Sequence, residues 1–190
     1  MSLADNPRKY SILTMAAGII IAASGIALFF DNDLDGSWNV IGGVGHIVAG
    51  VLIAGAGYII FSGIMPGFAT RFFPDGPDSK ISILIGYFSA LGVASILGLG
   101  TNIISIAIGF TIGVAILIIV MILTNDRNGT VNRSLWIVLN VSCFLGIVGN
   151  LLAIYFYSNI ATIAGICGCL MYLLADVYLF DNEVKMKFGM

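Results

Sequence analysis

Six apolar runs, each 20 to 25 residues long, leave this chain few folds to choose from. They occupy 11–30, 40–64, 81–100, 102–124, 135–157 and 160–180. A helix of about 20 residues, rising 1.5 Å per residue, crosses the ~30 Å hydrocarbon core of a bilayer. Transmembrane strands would need ~10-residue segments of alternating polarity, and none of the runs alternates. A soluble fold would also need about 25% charged residues; here 9% are charged and 59% are apolar. Lipid must therefore cover what charge cannot. The expected fold is all-α: a polytopic membrane protein with six transmembrane helices in a single domain over 1–190.

The run at 11–30 follows Arg8 and Lys9, as the apolar part of a signal peptide would. A signal core is ~7–15 residues long, however, and this run has 20 without a break, so it reads as a retained span. Pro66 and Gly67 are expected to stop the second span. In the long connection that follows, Phe68, Phe72 and Phe73 surround Arg71, a mixture suited to lipid headgroups.

Six spans sort the charges cleanly. The N-terminal segment, 65–80, 125–134 and the short charged tail 181–190 fall on one side. Together they hold Arg8, Lys9, Arg71, Lys80, Arg127, Arg133, Lys185 and Lys187, all 8 basic residues of the chain. The opposite side has none and carries Asp31, Asp33 and Asp35. By the positive-inside rule both termini are expected in the cytoplasm. The glycosylation patterns at Asn128 and Asn132 then lie on the cytoplasmic side and are expected to stay unmodified.

The spans follow one another as three antiparallel hairpins, 11–64, 81–124 and 135–180. In the first and third, a glycine-containing apolar helix leads through a short outer turn into a second glycine-rich helix; the second hairpin follows the pattern less closely. In this spacing of glycine and hydropathy the region 11–180 resembles the HdeD-like acid-resistance membrane proteins. The resemblance implies a six-helix, three-hairpin architecture and a stress-related role. It includes no catalytic or ligand motif, and the acidic loop before the second span departs from it.

Small residues indicate where helices meet, because close backbone approach drives association in lipid. Gly43, Gly50 and Gly57 recur at seven-residue intervals in the second span. Ser82, Gly86, Ala90, Ala94 and Gly98 recur at four-residue intervals in the third, and Gly109 and Gly113 in the fourth. Spans 2, 3 and 4 are expected to pack closely, within one chain or as a homo-oligomer seam.

Two sets of residues are candidates for chemistry. Asp31, Asp33, Asp35 and Gly36 match the start of a calcium loop, in which alternate carboxylates converge on one hard cation. The bidentate glutamate that should close the loop is replaced by Gly42, so an EF-hand is excluded. What remains is either a weak external calcium site or a hydrated loop that caps the next helix. The second set comprises polar groups at membrane depth, which usually face a bundle interior. His46 and Asn150 have matching depths in the outer half and could form a polar pocket if spans 2 and 5 touch, with His46 as the natural pH-titrating group. Asn140 and Asp176 have similar depths near the cytoplasmic interface and could pair. Between these levels only Ser, Thr and Gly are expected, with no carboxylate.

No Ser-His-Asp set, HExxH, Walker A or paired haem histidines occurs, so the chain is not expected to be an enzyme. Cys143, Cys167 and Cys169 all lie in apolar runs and read as packing residues. A net charge of −2 supplies no basic face for nucleic acid. The expected partners are the lipid bilayer and either a second copy of the chain or other membrane subunits. The expected function is structural or accessory, with a small channel or transporter as the alternative. Calcium titration separates the readings of the acidic loop: a metal site raises the melting temperature and loses that rise in Asp33→Ala, whereas a capping loop gives no rise.

Overall fold

A computed structural model describes residues 5–31, 36–97, 103–125, 131–156 and 159–190. The described residues form α1 (Pro7–Leu28), α2 (Gly36–Ser62), α3 (Lys80–Leu97), α4 (Ile103–Thr124), α5 (Arg133–Phe156), α6 (Asn159–Leu179) and the short α7 (Asn182–Lys187). Six of these helices are long and apolar enough to cross a membrane, as the hydropathy of the chain predicts.

Local chemistry sets several helix ends. Asn6 caps α1, its side chain accepting from Lys9 N at 3.2 Å, and Pro7 occupies the first turn, where no amide hydrogen is needed. α2 stops at Ser62 rather than at Pro66. Gly63 takes φ +68°, a left-handed conformation that L side chains rarely adopt, while its N–H still reaches Ile59 O at 3.0 Å. The helix has ended before the proline can act.

The helices form a ring. Each long helix packs on its neighbours in sequence, α6 closes against α1, and α3 and α6 also pack across the middle. α1 and α2 make the most extensive contact. Their seam is built from two small-residue series at the same interval, Ser11, Gly18 and Gly25 on α1 and Gly57, Gly50 and Gly43 on α2. A Cβ on Gly18 would lie 2.7 Å from Gly50 O, one on Gly25 2.7 Å from Gly43 O, and one on Gly57 3.0 Å from Ser11 O. The series run in opposite sequence directions, so a seven-residue step along one helix is met by an equal step back along the other. Backbones this close exchange Cα–H···O contacts worth about 0.5–1 kcal/mol each.

α4 meets α3 in the same way. Cβ atoms on Gly109 and Gly113 would each lie 2.5 Å from a backbone oxygen of α3, that of Ser95 and that of Gly92 respectively. The close face of α3 is thus Gly92 and Ser95, displaced from the small-residue row read in the sequence. That row is partly covered by the 66–79 connection: the Phe73 ring, buried, fills the space beside Gly86, and Asp75 N donates to Ser82 Oγ at 3.2 Å. Of the three phenylalanines expected at the headgroups, Phe68 and Phe72 are exposed and Phe73 is core. The charged tail is also more than a tail. Asp181 caps α7 by accepting from Glu183 N at 3.0 Å, and Val184 and Phe188 are buried in the main core.

Gly50→Leu should destabilise the protein by at least about 1–3 kcal/mol, since its side chain would run into Ala22 and Gly18 backbone atoms. Gly55→Ala, where a Cβ meets nothing within 4 Å, should be neutral or stabilising by up to about 1 kcal/mol. Thermal unfolding of the two variants in the same detergent checks the contrast.

Candidate functional site

The polar residues singled out at membrane depth lie where the seams need them. His46 is buried on α2 and turned toward α1, where a Cβ on Gly25 would lie 2.9 Å from His46 Cβ. Its Nδ1–H donates to Gly42 O one turn back at 2.7 Å. Asn150 is buried on α5 and turned toward α6. Its side chain lies over Gly168, and its Nδ2 donates to Gly146 O at 2.8 Å. The two residues occupy different seams: α2 packs on α1 and α3, α5 on α4 and α6. The structure does not bring them together. Each is satisfied by a carbonyl of its own helix and packed against a glycine of the neighbouring one.

The second expected pair is also parted. Asn140 Nδ2 donates to Trp136 O at 2.8 Å rather than to Asp176. Asp176 is partly buried on α6, faces the Cys143 thiol of α5, and has one oxygen, Oδ1, buried without a hydrogen-bond partner. In the acidic loop, Asp33 and Asp35 lie outside the described residues. Asp31 is 6% exposed, and its backbone carbonyl accepts from Asn39 Nδ2. This bond ties the loop to the first turns of α2. No group of three metal-binding side chains occurs among the described residues.

The sequence reading missed the tyrosines. Tyr10 of α1, Tyr87 of α3 and Tyr172 and Tyr178 of α6 are all buried in the core. Tyr10 packs edge-on to Tyr178 at 4.5 Å and to Tyr87 at 5.4 Å between ring centroids. Tyr87 Oη donates to Met171 O at 2.8 Å, and Tyr172 Oη shares a hydrogen with Ser95 Oγ at 2.6 Å. The bundle interior therefore contains phenols as well as the Ser, Thr and Gly expected there. A hydropathy count treats tyrosine as apolar, whereas its hydroxyl needs a partner once buried. The signal available in the sequence was Tyr87 and Tyr172, which lie well inside the third and sixth runs.

These rings lie beneath one end of the bundle, where charges join three parts of the chain. Lys80 Nζ, at the start of α3, pairs with Asp181 at 2.7 Å and with Asp5 at 3.2 Å. Trp136 Nε1 of α5 donates to Leu179 O of α6 at 2.8 Å, and Lys185 sits 5.2 Å over the Phe180 ring. A cleft of about 550 Å³ opens here between Asp5, Lys80, Val177, Phe180, Asp181 and Glu183. With an apolar wall below and charged residues at the rim, it suits the level where hydrocarbon gives way to water.

No protein family, curated protein or solved structure matches the chain.

Tyr87→Phe should cost about 1 kcal/mol through the lost bond between α3 and α6. Lys80→Met should cost no more than about 1 kcal/mol, an effect that shrinks with added salt because the pair is partly solvated. Unfolding at low and high ionic strength distinguishes the two.

Proposed function

We propose that this chain is a small integral membrane protein of structural or accessory type. In this reading its six helices form three antiparallel hairpins with both termini in the cytoplasm, and its work is to support a larger membrane assembly or a stress response. One observation carries the reading. His46 and Asn150, the polar groups that a transport route would use, are each bonded to a carbonyl of their own helix and packed against a glycine. Residues that conduct a solute line a shared aqueous cavity; these two serve separate helix seams.

The stress-related role rests on the resemblance to HdeD-like proteins in glycine and hydropathy spacing. The orientation rests on the charges: Asp5, Lys80 and Asp181 meet at the end of the bundle that also carries Arg8, Lys9 and Arg133. The positive-inside rule assigns that end to the cytoplasm. Catalysis by the chain alone is excluded from this reading because the motifs for it are missing from the sequence. A role as scaffold in a membrane enzyme remains compatible with it.

Purified protein in proteoliposomes should pass neither protons nor small ions above the rate of empty vesicles. Flux that disappears in His46→Ala would replace this reading with a channel or transporter. Purification of the native protein under mild detergent should bring other membrane subunits or a second copy with it. Single cysteines in place of Ser37 and Ser134 test the orientation: the first should react with an impermeant reagent in intact cells, the second only after permeabilisation.

A further inference from the structure

Charges at the Lys80 end of the bundle are sorted around one exposed ring. Phe180, just past the end of α6, is 54% exposed. The cleft that it helps to line holds three carboxylates: Asp5 and Asp181, both bonded to Lys80, and Glu183. Two other cations are not part of that cleft or of the Lys80 ion pairs. Lys185 Nζ lies 5.2 Å from the Phe180 ring centroid, and Arg133 is exposed at the start of α5. Between them is half-buried Trp136, one turn after Arg133 and edge-on to Phe180 at 5.4 Å. At about 100° per residue, Glu183 and Lys185 leave nearly opposite sides of α7. Asp176, one turn before Phe180, faces the Cys143 thiol instead.

What this surface binds follows from its chemistry. Aromatic rings at helix ends favour the headgroup level of a bilayer. The Trp136 N–H is already used, donating to Leu179 O at 2.8 Å. The first amides of α5 are used too, Ser134 N and Leu135 N donating to Asn132 Oδ1 at 3.0 and 3.3 Å. Recognition therefore falls to a guanidinium and an ammonium. A phosphate suits both, with a planar fork from Arg133 and a point charge from Lys185. The rest of the headgroup decides the class of lipid. A zwitterionic headgroup brings a cation with its phosphate, and Lys185 already occupies the Phe180 ring that would receive a quaternary ammonium. An anionic headgroup brings no such cation. Exposed Ile137 and Val141 of α5 and Leu173 of α6 continue from this level along the spans and offer acyl chains an apolar wall.

We propose that Arg133 and Lys185, on either side of the Trp136–Phe180 pair, bind the headgroup of an anionic phospholipid at the rim of α5 and α6. The site rests on the membrane reading but neither on the orientation nor on an accessory role. A bound headgroup bridges α5 and α7, and so fastens the tail to the bundle by a second route beside the Lys80 pairs.

The test is native mass spectrometry of the full chain released from nanodiscs of equimolar phosphatidylcholine and phosphatidylglycerol, with both leaflets alike. Each cation at headgroup depth favours an anionic lipid about fivefold. Phosphatidylglycerol should therefore dominate the retained lipid. Arg133→Gln and Lys185→Gln should each lower the ratio about fivefold, and the double variant should bring it to parity. Lys185→Arg should keep the ratio. Lys187→Gln, which makes the same change of net charge elsewhere on α7, should also leave it within about twofold. Equal retention of the two lipids by the parent overturns the site. So does a Lys187→Gln loss as large as that of Lys185→Gln, since the preference would then follow net charge alone. A chain that does not enter the discs overturns the membrane reading and the site with it, whereas entry without a lipid preference overturns the site alone.

Discussion

Backbone-to-backbone contact between α1 and α2 is the constraint on which the rest of the bundle depends. In lipid, a helix gains little by exchanging an apolar neighbour in the bilayer for one in the protein, so proximity has to come from shape. Ser11, Gly18 and Gly25 against Gly57, Gly50 and Gly43 provide it. The matched intervals also fix register. A slip of one residue would rotate the glycines out of the seam and place Ile19, Ile26, Val44 or Val51 against backbone. These residues are now lipid-facing. Once this pair is set, one flank of α1 meets α6 and one flank of α2 meets α3, and the ring has its two starting edges.

The Lys80 end of the bundle and its interior are held differently. At the Lys80 end, an ion triad, an indole-to-carbonyl bond, a set of edge-to-face phenols and a docked α7 connect α1, α3, α5, α6 and the tail. Farther in, glycine carries many of the close contacts, His46 and Asn150 bond within their own helices, and the cross-helix polar bonds are those of Tyr87 and Tyr172 between α3 and α6. This division follows the dielectric. Charges and amphipathic rings are inexpensive where headgroup water reaches them and costly at mid-depth.

Much of this was visible in the sequence. The six spans follow from hydropathy because lipid enforces helix length. The seven-residue glycine series of α2 marked a close face, but the helix it meets is α1, not the third or fourth span expected beside it. Its counterpart on α1 went unseen because Ala16, Ala17, Ala22, Ala23 and Ser24 surround Gly18 and Gly25 with other small residues and blur the interval. That His46 and Asn150 sit inside long apolar helices was likewise legible. Which helices touch was not, because that depends on the order of helices around the ring. The four-residue row on α3 misled for a related reason: a loop residue, Phe73, covers part of it, and periodicity within one helix says nothing about a loop folding back. Tyrosine was the largest omission, a residue whose ring counts as apolar and whose hydroxyl behaves otherwise.

Closure of the ring has a consequence for how the protein is made. The α1–α2 joint is local and can form as soon as both helices have left the translocon, with only a short loop to close. The α1–α6 joint is between the chain's first and last long helices. Until α6 arrives, the Tyr10 ring has Tyr87 of α3 beside it but not Tyr178, and one side of a phenol destined for the core must wait uncovered. Tyrosine tolerates that wait better than a fully apolar or fully charged residue would, because its ring and hydroxyl are at home on the two sides of the interface.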